Sequence, residues 1–152
     1  MIRNTKHALA VAVVAVLELG AVGVATSGTD VIMQRQETMD SIQDALMDLA
    51  AIAKKEAPFD AGVVQKNAAS IENHLREVSH LFPEGSGEGD VETWAKPEIW
   101  SDYADFVLKL ETAKVQAEAL KSVTEESAFR PALGKLGNAC KSCHTNYRRP
   151  KH

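Results

Sequence analysis

The sequence has 152 residues, a length that fits a single domain. Its formal charge of −4 excludes the strongly basic surface typical of nucleic-acid-binding proteins, so no nucleic-acid partner is expected. A composition of 45% apolar and only 5% aromatic residues favours helices over sheets, and two cysteines are too few for a disulfide framework.

Residues 1–25 have the pattern of a secretory signal peptide. Arg3 and Lys6 precede an unbroken apolar run at residues 8–17, and small residues lead to a cleavage site after Ala25. Glu18 keeps the apolar run well below the roughly 20 residues that a membrane-spanning helix needs. The pattern predicts export to the bacterial periplasm without a stable membrane anchor. An uncleaved helix lying in the membrane interface is the alternative.

Two amphipathic segments open the remaining domain, residues 26–152. The first predicted helix covers about residues 30–55 and the second about residues 61–80. In both, inward positions recur at alternating steps of three and four, as in helices with one buried face. Pro58 separates them, and Asp60 is suited to cap the second helix. The two inward stripes are Ile32, Arg35, Met39, Ile42, Leu46, Leu49 and Ala53, then Val64, Ala68, Ile71, Leu75, Val78 and Phe82.

Two further helices follow a loop predicted at residues 83–97, whose Trp94 is expected to pack over the bundle end. Pro97 is suited to begin the third helix, and a capping box at residues 122–125 is predicted to precede the fourth. Their stripes are Ile99, Tyr103, Phe106, Leu110, Ala113, Ala117 and Leu120, then Phe129, Leu133, Leu136, Cys140, Cys143 and Tyr147. Four such helices predict an all-α, antiparallel four-helix bundle. The prolines between segments disfavour the alternative of one long coiled coil.

The strongest chemical signal is the Cys-x-x-Cys-His segment at residues 140–144. This is the pattern of covalent c-type haem attachment. Cys140 and Cys143 lie one helical turn apart and can reach the two haem vinyl groups, while His144 can bind the iron. A thioredoxin-like pair would need a βαβ context, and a zinc site would need a further ligand. A structural disulfide in a haem-free helical binding protein is the remaining alternative. The segment predicts one covalent haem c near the C-terminus.

With these residues in place, the chain resembles the class II cytochromes c, which include cytochrome c′. The resemblance rests on residues 140–148, the turn at 57–60, the third-helix entry at 97–102 and the Arg-Gln pair at 35–36, and it spans about residues 30–149. It implies that the first helix covers the distal haem face. High-spin members leave the sixth iron position open to small gases such as NO, whereas low-spin members place a Met there. Dimers through the first two helices are frequent in the family, so a homodimer stays an open alternative to a monomer.

The resemblance matches Met39 to this sixth ligand. Arg35 lies one turn before Met39 on the same predicted face and would suit a haem propionate. Arg148 lies one turn after His144 and, by resemblance, near the proximal haem face. The alternatives are core packing for Met39, an Arg35 side chain that extends to water, and a solvated basic tail for Arg148.

The sequence therefore predicts a monohaem electron carrier rather than an enzyme, with no catalytic residues. His144 and Met39 would be the axial ligands of low-spin iron, a pair that raises the reduction potential. Its partners would be periplasmic redox proteins. The alternative is high-spin binding or sequestration of small gases such as NO, which requires that Met39 does not hold the iron.

Overall fold

The fold is all-helical over residues 28–150, the part of the chain that the computed structural model describes. The predicted signal peptide lies outside these residues. The helices are α1 (Gly28–Ala53), α2 (Ala61–Val78), α3 (Glu98–Ser101), α4 (Tyr103–Lys121) and α5 (Glu126–Tyr147). Within the described residues there is no strand, and no helix is both long and apolar enough to span a membrane.

The four long helices pack in the order α1, α2, α4, α5 around the bundle. Extensive contacts join α1 to α2, α2 to α4 and α4 to α5, whereas α1 and α5 barely touch. Short connections reverse the chain after α1 and after α4, and the longer loop at 79–97 stays at the end where α1 begins. Arg35 of α1 donates to Leu81 and Thr93 of that loop. The result is an antiparallel bundle with a gap between its first and last helices.

The predicted stripes supply most of the core. Leu49, Ile71, Leu120 and Leu136 have no exposed surface. Tyr103 is an exception, because 44% of it is exposed. The structure divides the predicted third helix into α3 and α4 at Asp102, whose φ is −130° and ψ is 52°. Tyr103 therefore begins α4 at the end of the bundle rather than lying within its core.

The helix ends follow the sequence predictions only in part. Asp60 caps α2 as predicted, because its Oδ1 accepts a hydrogen bond from the Val63 amide at 2.9 Å. The predicted capping box is wrong: Ser122 ends α4 as its C-cap, and Glu125 precedes α5 without a side-chain cap. α4 continues to Lys121, and the Ser122 hydroxyl donates to the Glu118 carbonyl of its last turn at 3.4 Å. Pro97 precedes α3 as its N-cap rather than standing first in the helix.

Candidate functional site

A cavity of about 320 Å³ lies in the gap between α1 and α5. Its volume falls within the range of about 300–1,000 Å³ that small-molecule and cofactor sites occupy. Apolar side chains from the core, including Leu46, Leu75, Phe106 and Leu110, line its interior. All six residues singled out from the sequence line this one cavity: Arg35, Met39, Cys140, Cys143, His144 and Arg148.

The α5 wall carries the two thiols. Cys143 is buried and Cys140 is half-buried, and the helix places them about one turn apart. Burial raises the pKa of Cys140 and raises that of Cys143 to about 11, so both thiols are protonated at neutral pH. Two neutral thiols along one apolar wall present the donor pair from which thioether bonds to a haem are made.

His144 follows the second thiol on the same wall and is half-buried. Burial lowers its pKa, and the nearby positive charge of Arg148 lowers it further. The imidazole is therefore held in its neutral form, which is the form that binds iron. Arg148 itself is exposed at the rim of the cavity, where its amide donates to the His144 carbonyl at 3.0 Å.

The α1 wall contributes a thioether to the same cavity as that imidazole. Met39 is half-buried and lines the cavity. Met33 and Met47, on the same helix, are 42% and 60% exposed. Among the methionines of the described residues, Met39 alone faces the site, as the stripe predicted.

Arg35 has partners that the sequence did not indicate. The residue is 5% exposed. Its Nε donates to the Leu81 carbonyl at 3.0 Å, and its Nη2 donates to the carbonyl and hydroxyl oxygens of Ser86 at 2.9 and 3.1 Å. Its Nη1 makes one long contact with the Thr93 hydroxyl, at 3.5 Å. One Nη1 hydrogen is left over, so the loop contacts and the predicted propionate contact are compatible.

The Arg35 guanidinium is a buried positive charge on the cavity wall. Burial lowers the pKa of Arg35 to about 10, so the side chain stays cationic at neutral pH. Over residues 28–150, no acidic group forms an ion pair with it. The aromatic face of Phe82 lies 4.2 Å from the guanidinium carbon and offers only partial compensation. A buried cation on a cavity wall is a suitable partner for an anionic ligand group.

Loop residues complete the cavity. Thr93, Trp94 and Ala95 line it, together with Gln36 and Gln43 of α1. The one sequence-based indication that the loop contributes to the site was the prediction that Trp94 packs over the bundle end. Trp94 is half-buried and lines the cavity. Helical periodicity carries no information about a loop, so the other two loop residues could not have been found from spacing.

The residues present fit a haem. Two thiols and a neutral imidazole occupy one wall, a thioether occupies the other, and apolar side chains lie between. The described residues contain no group of three or more His, Cys, Asp or Glu side chains that would hold a bare metal ion. The thiol pair suits attachment of a porphyrin edge, and the adjacent imidazole suits its iron.

Comparison with known proteins agrees with this geometry. The family model of cytochrome c′ matches residues 30–148. The chain is 36% identical over 146 residues to a cytochrome c′ of Rhodopseudomonas palustris, a match that covers 94% of this chain and 98% of that protein. It is 32% identical over 120 residues to a cytochrome c-556 of Agrobacterium fabrum, covering 78% of this chain and 80% of that one. The solved structure of a cytochrome c′ from Rhodopseudomonas palustris aligns with a TM-score of 0.76 at 34% identity, over 81% of this chain and 98% of the other.

Proposed function

The chain belongs to the cytochrome c′ family, whose members are four-helix bundles with one covalent haem c, and we propose that it is a periplasmic electron carrier with low-spin iron. In this proposal His144 and Met39 would hold the haem iron. The observation that carries it is that Met39 of α1 and His144 of α5 line the same cavity.

The haem supplies a one-electron couple, and the protein supplies attachment, ligands and a dry environment. Cys140 and Cys143 would anchor the porphyrin edge to α5. The neutral imidazole of His144 would bind the iron on one face. Apolar side chains such as Leu110 exclude water from the interior, which limits the solvent rearrangement that accompanies a change of charge.

Met39 suits the sixth position for chemical and for structural reasons. Its thioether is a soft, polarisable donor on a flexible, unbranched side chain. A His/Met pair raises the reduction potential and favours electron transfer. With His144 and Met39 both holding the iron, no position on it would be free for a substrate, and no residue of this chain would have a catalytic role. Docking with periplasmic redox partners would use a small, weak interface.

A second function is reversible binding of small gases such as NO. Met39 is half-buried rather than fixed within a closed core, so displacement of its sulfur would leave room for a diatomic molecule. In that case the iron would be five-coordinate and high-spin.

Absorption spectra of the ferrous holoprotein, with and without CO, separate the two functions. We expect sharp low-spin bands and little response to CO. Met39→Leu conserves volume but removes the sulfur, so this variant should become high-spin and bind CO. Met33→Leu and Met47→Leu are matched controls that change exposed methionines of the same helix and should leave the spectrum as it is. A high-spin spectrum of the unmodified protein, or an unchanged spectrum for Met39→Leu, would refute the electron-carrier proposal.

A further inference from the structure

The loop between α2 and α3 is bonded to both walls of the cavity, and we refer to residues 81–96 as the strap. On the α1 side, Gln36 Nε2 donates to the Glu92 carbonyl at 2.7 Å. The Asp90 amide donates to Thr29 Oγ1 at 3.1 Å. These bonds hold the second half of the strap along the first three turns of α1.

On the α5 side, the strap pairs with the end of the last helix. The Lys96 amide donates to the Tyr147 carbonyl at 3.0 Å, and the Arg149 amide donates to the Trp94 carbonyl at 2.7 Å. Lys96 Nζ also donates to the Thr145 carbonyl at 3.1 Å. The strap therefore connects α1 to α5 at the end of the cavity, where these two helices otherwise barely touch.

Arg35 is the buried centre of the α1 attachment. Its guanidinium donates to Leu81, Ser86 and Thr93, three points spread along the strap. The same group lies over the rings of Phe82 and Trp100, at 4.2 and 5.8 Å from their centroids. The planar guanidinium presents its donors in a fixed geometry, which a lysine ammonium does not reproduce. Breaking these bonds would release the strap from α1 at several points together.

The connection runs between the two proposed iron ligands. Met39 lies one turn beyond Arg35 on α1, and Tyr147 lies three residues beyond His144 on α5. We propose that Arg35, acting through the strap, fixes the separation of α1 and α5 and thereby holds the Met39 sulfur against the iron. Arg35 is in this sense a positioning residue for the sixth ligand. The inference rests on the proposed function, because it requires that Met39 binds the iron.

The expected effect is a gain in access to the iron. A hydrogen bond from a charged group typically changes an equilibrium constant by roughly 10- to 100-fold. If the strap transmits part of that change to the bond between sulfur and iron, Arg35→Lys should raise the CO affinity of the ferrous holoprotein about tenfold. A fraction of high-spin absorption should appear with it.

Two further variants separate positioning from a direct effect of the cation. Ser86→Ala removes one acceptor of Arg35 while leaving the arginine beside the cavity, so a contact with a haem propionate would persist. It should shift the CO affinity in the same direction by a smaller factor. Gln34→Ala is the matched control, because this exposed neighbour bonds to Glu77 of α2 and not to the strap. It should leave the CO affinity unchanged.

The decisive comparison is CO titration of the unmodified protein, of the single variants at Arg35, Ser86, Gln34 and Met39, and of the double variant Met39→Leu/Arg35→Lys. With no sulfur to displace, Arg35→Lys should no longer alter the CO affinity. A low-spin unmodified protein in which Arg35→Lys and Ser86→Ala leave the affinity unchanged would overturn the inference alone. An equal effect of Arg35→Lys with and without Met39 would also overturn it. A high-spin unmodified protein would refute both the inference and the proposed function.

Discussion

The hydroxyl of Tyr147 allows a quantitative test of how the end of α5 is held in the bundle. This residue is 5% exposed, and its hydroxyl donates to Asp105 Oδ2 of α4 at 2.6 Å. Burial and the adjacent carboxylate raise the pKa of Tyr147, so the hydroxyl keeps its proton throughout the physiological range. Tyr147→Phe removes this one oxygen and leaves the ring, which packs edge-on against Phe106 with 5.4 Å between the ring centroids.

The loss in stability can be bounded from the surroundings of the acceptor. A hydrogen bond to a charged group contributes about 1.5–3 kcal/mol. The Asp105 side chain is 37% exposed, and its Oδ2 also lies 3.6 Å from Lys109 Nζ, so water and the Lys109 ammonium can replace part of the lost contact. We therefore expect a value near the lower bound, about 1.5 kcal/mol. For a domain of this size the melting temperature should fall by roughly 5 °C.

Thermal unfolding of the holoprotein, followed by circular dichroism, measures this difference. Tyr103→Phe is a matched control, because Tyr103 is the other tyrosine of the chain and is 44% exposed. It should cost less than about 0.5 kcal/mol. A double-mutant cycle with Asp105→Ala should give a coupling of about 1 kcal/mol. Equal losses for the two tyrosine variants, or additive losses in the cycle, would show that the bond does not hold α5.

Two further predictions concern the other helices. Glu72 is buried, and its pKa is lowered, chiefly because Lys121 Nζ donates to it at 2.5 Å. A lowered pKa means that the stabilisation is complete above the ordinary value of about 4.3 and is lost as the pH falls through the folded value. The urea-unfolding free energy of Glu72→Gln should therefore fall less steeply below about pH 5 than that of the unmodified protein. Asp60→Ala should cost about 1 kcal/mol by the same measurement, whereas Asp60→Asn, which can still accept from Val63, should cost little.

The placement of the site residues was predictable because it depends on local periodicity. Met39 and Cys143 stand on stripes with helical spacing, and the faces of α1 and α5 that carry these stripes border one cavity. The His144 imidazole follows from its place after the second thiol. Spacing distinguished Met39 from the other methionines but is equally consistent with core packing, and the family resemblance supplied its proposed role as an iron ligand.

The contacts of Arg35 could not be predicted, because they depend on where a loop passes. Two of its acceptors are the main-chain carbonyls of Leu81 and Ser86, and every residue type carries such a group. No pattern of side chains marks which carbonyls will turn towards a buried cation. The break before Tyr103 is similar, because it is a change in backbone direction within a stretch whose inward spacing is regular.

The uneven packing around the cavity has a consequence for the two proposed functions. α1 is fixed to α2 along a continuous apolar seam that includes Leu49 and Ile71, but it reaches α5 mainly through the strap. A sulfur–iron bond across that gap would therefore depend on a few hydrogen bonds rather than on the whole core. Two states that differ by a few kcal/mol exchange dominance when a single interaction of similar size is lost. If Met39 binds the iron, the free energy needed to displace its sulfur is then smaller than the free energy needed to unfold the bundle. In any variant that weakens the strap, loss of the sulfur–iron bond should therefore occur under milder conditions than unfolding.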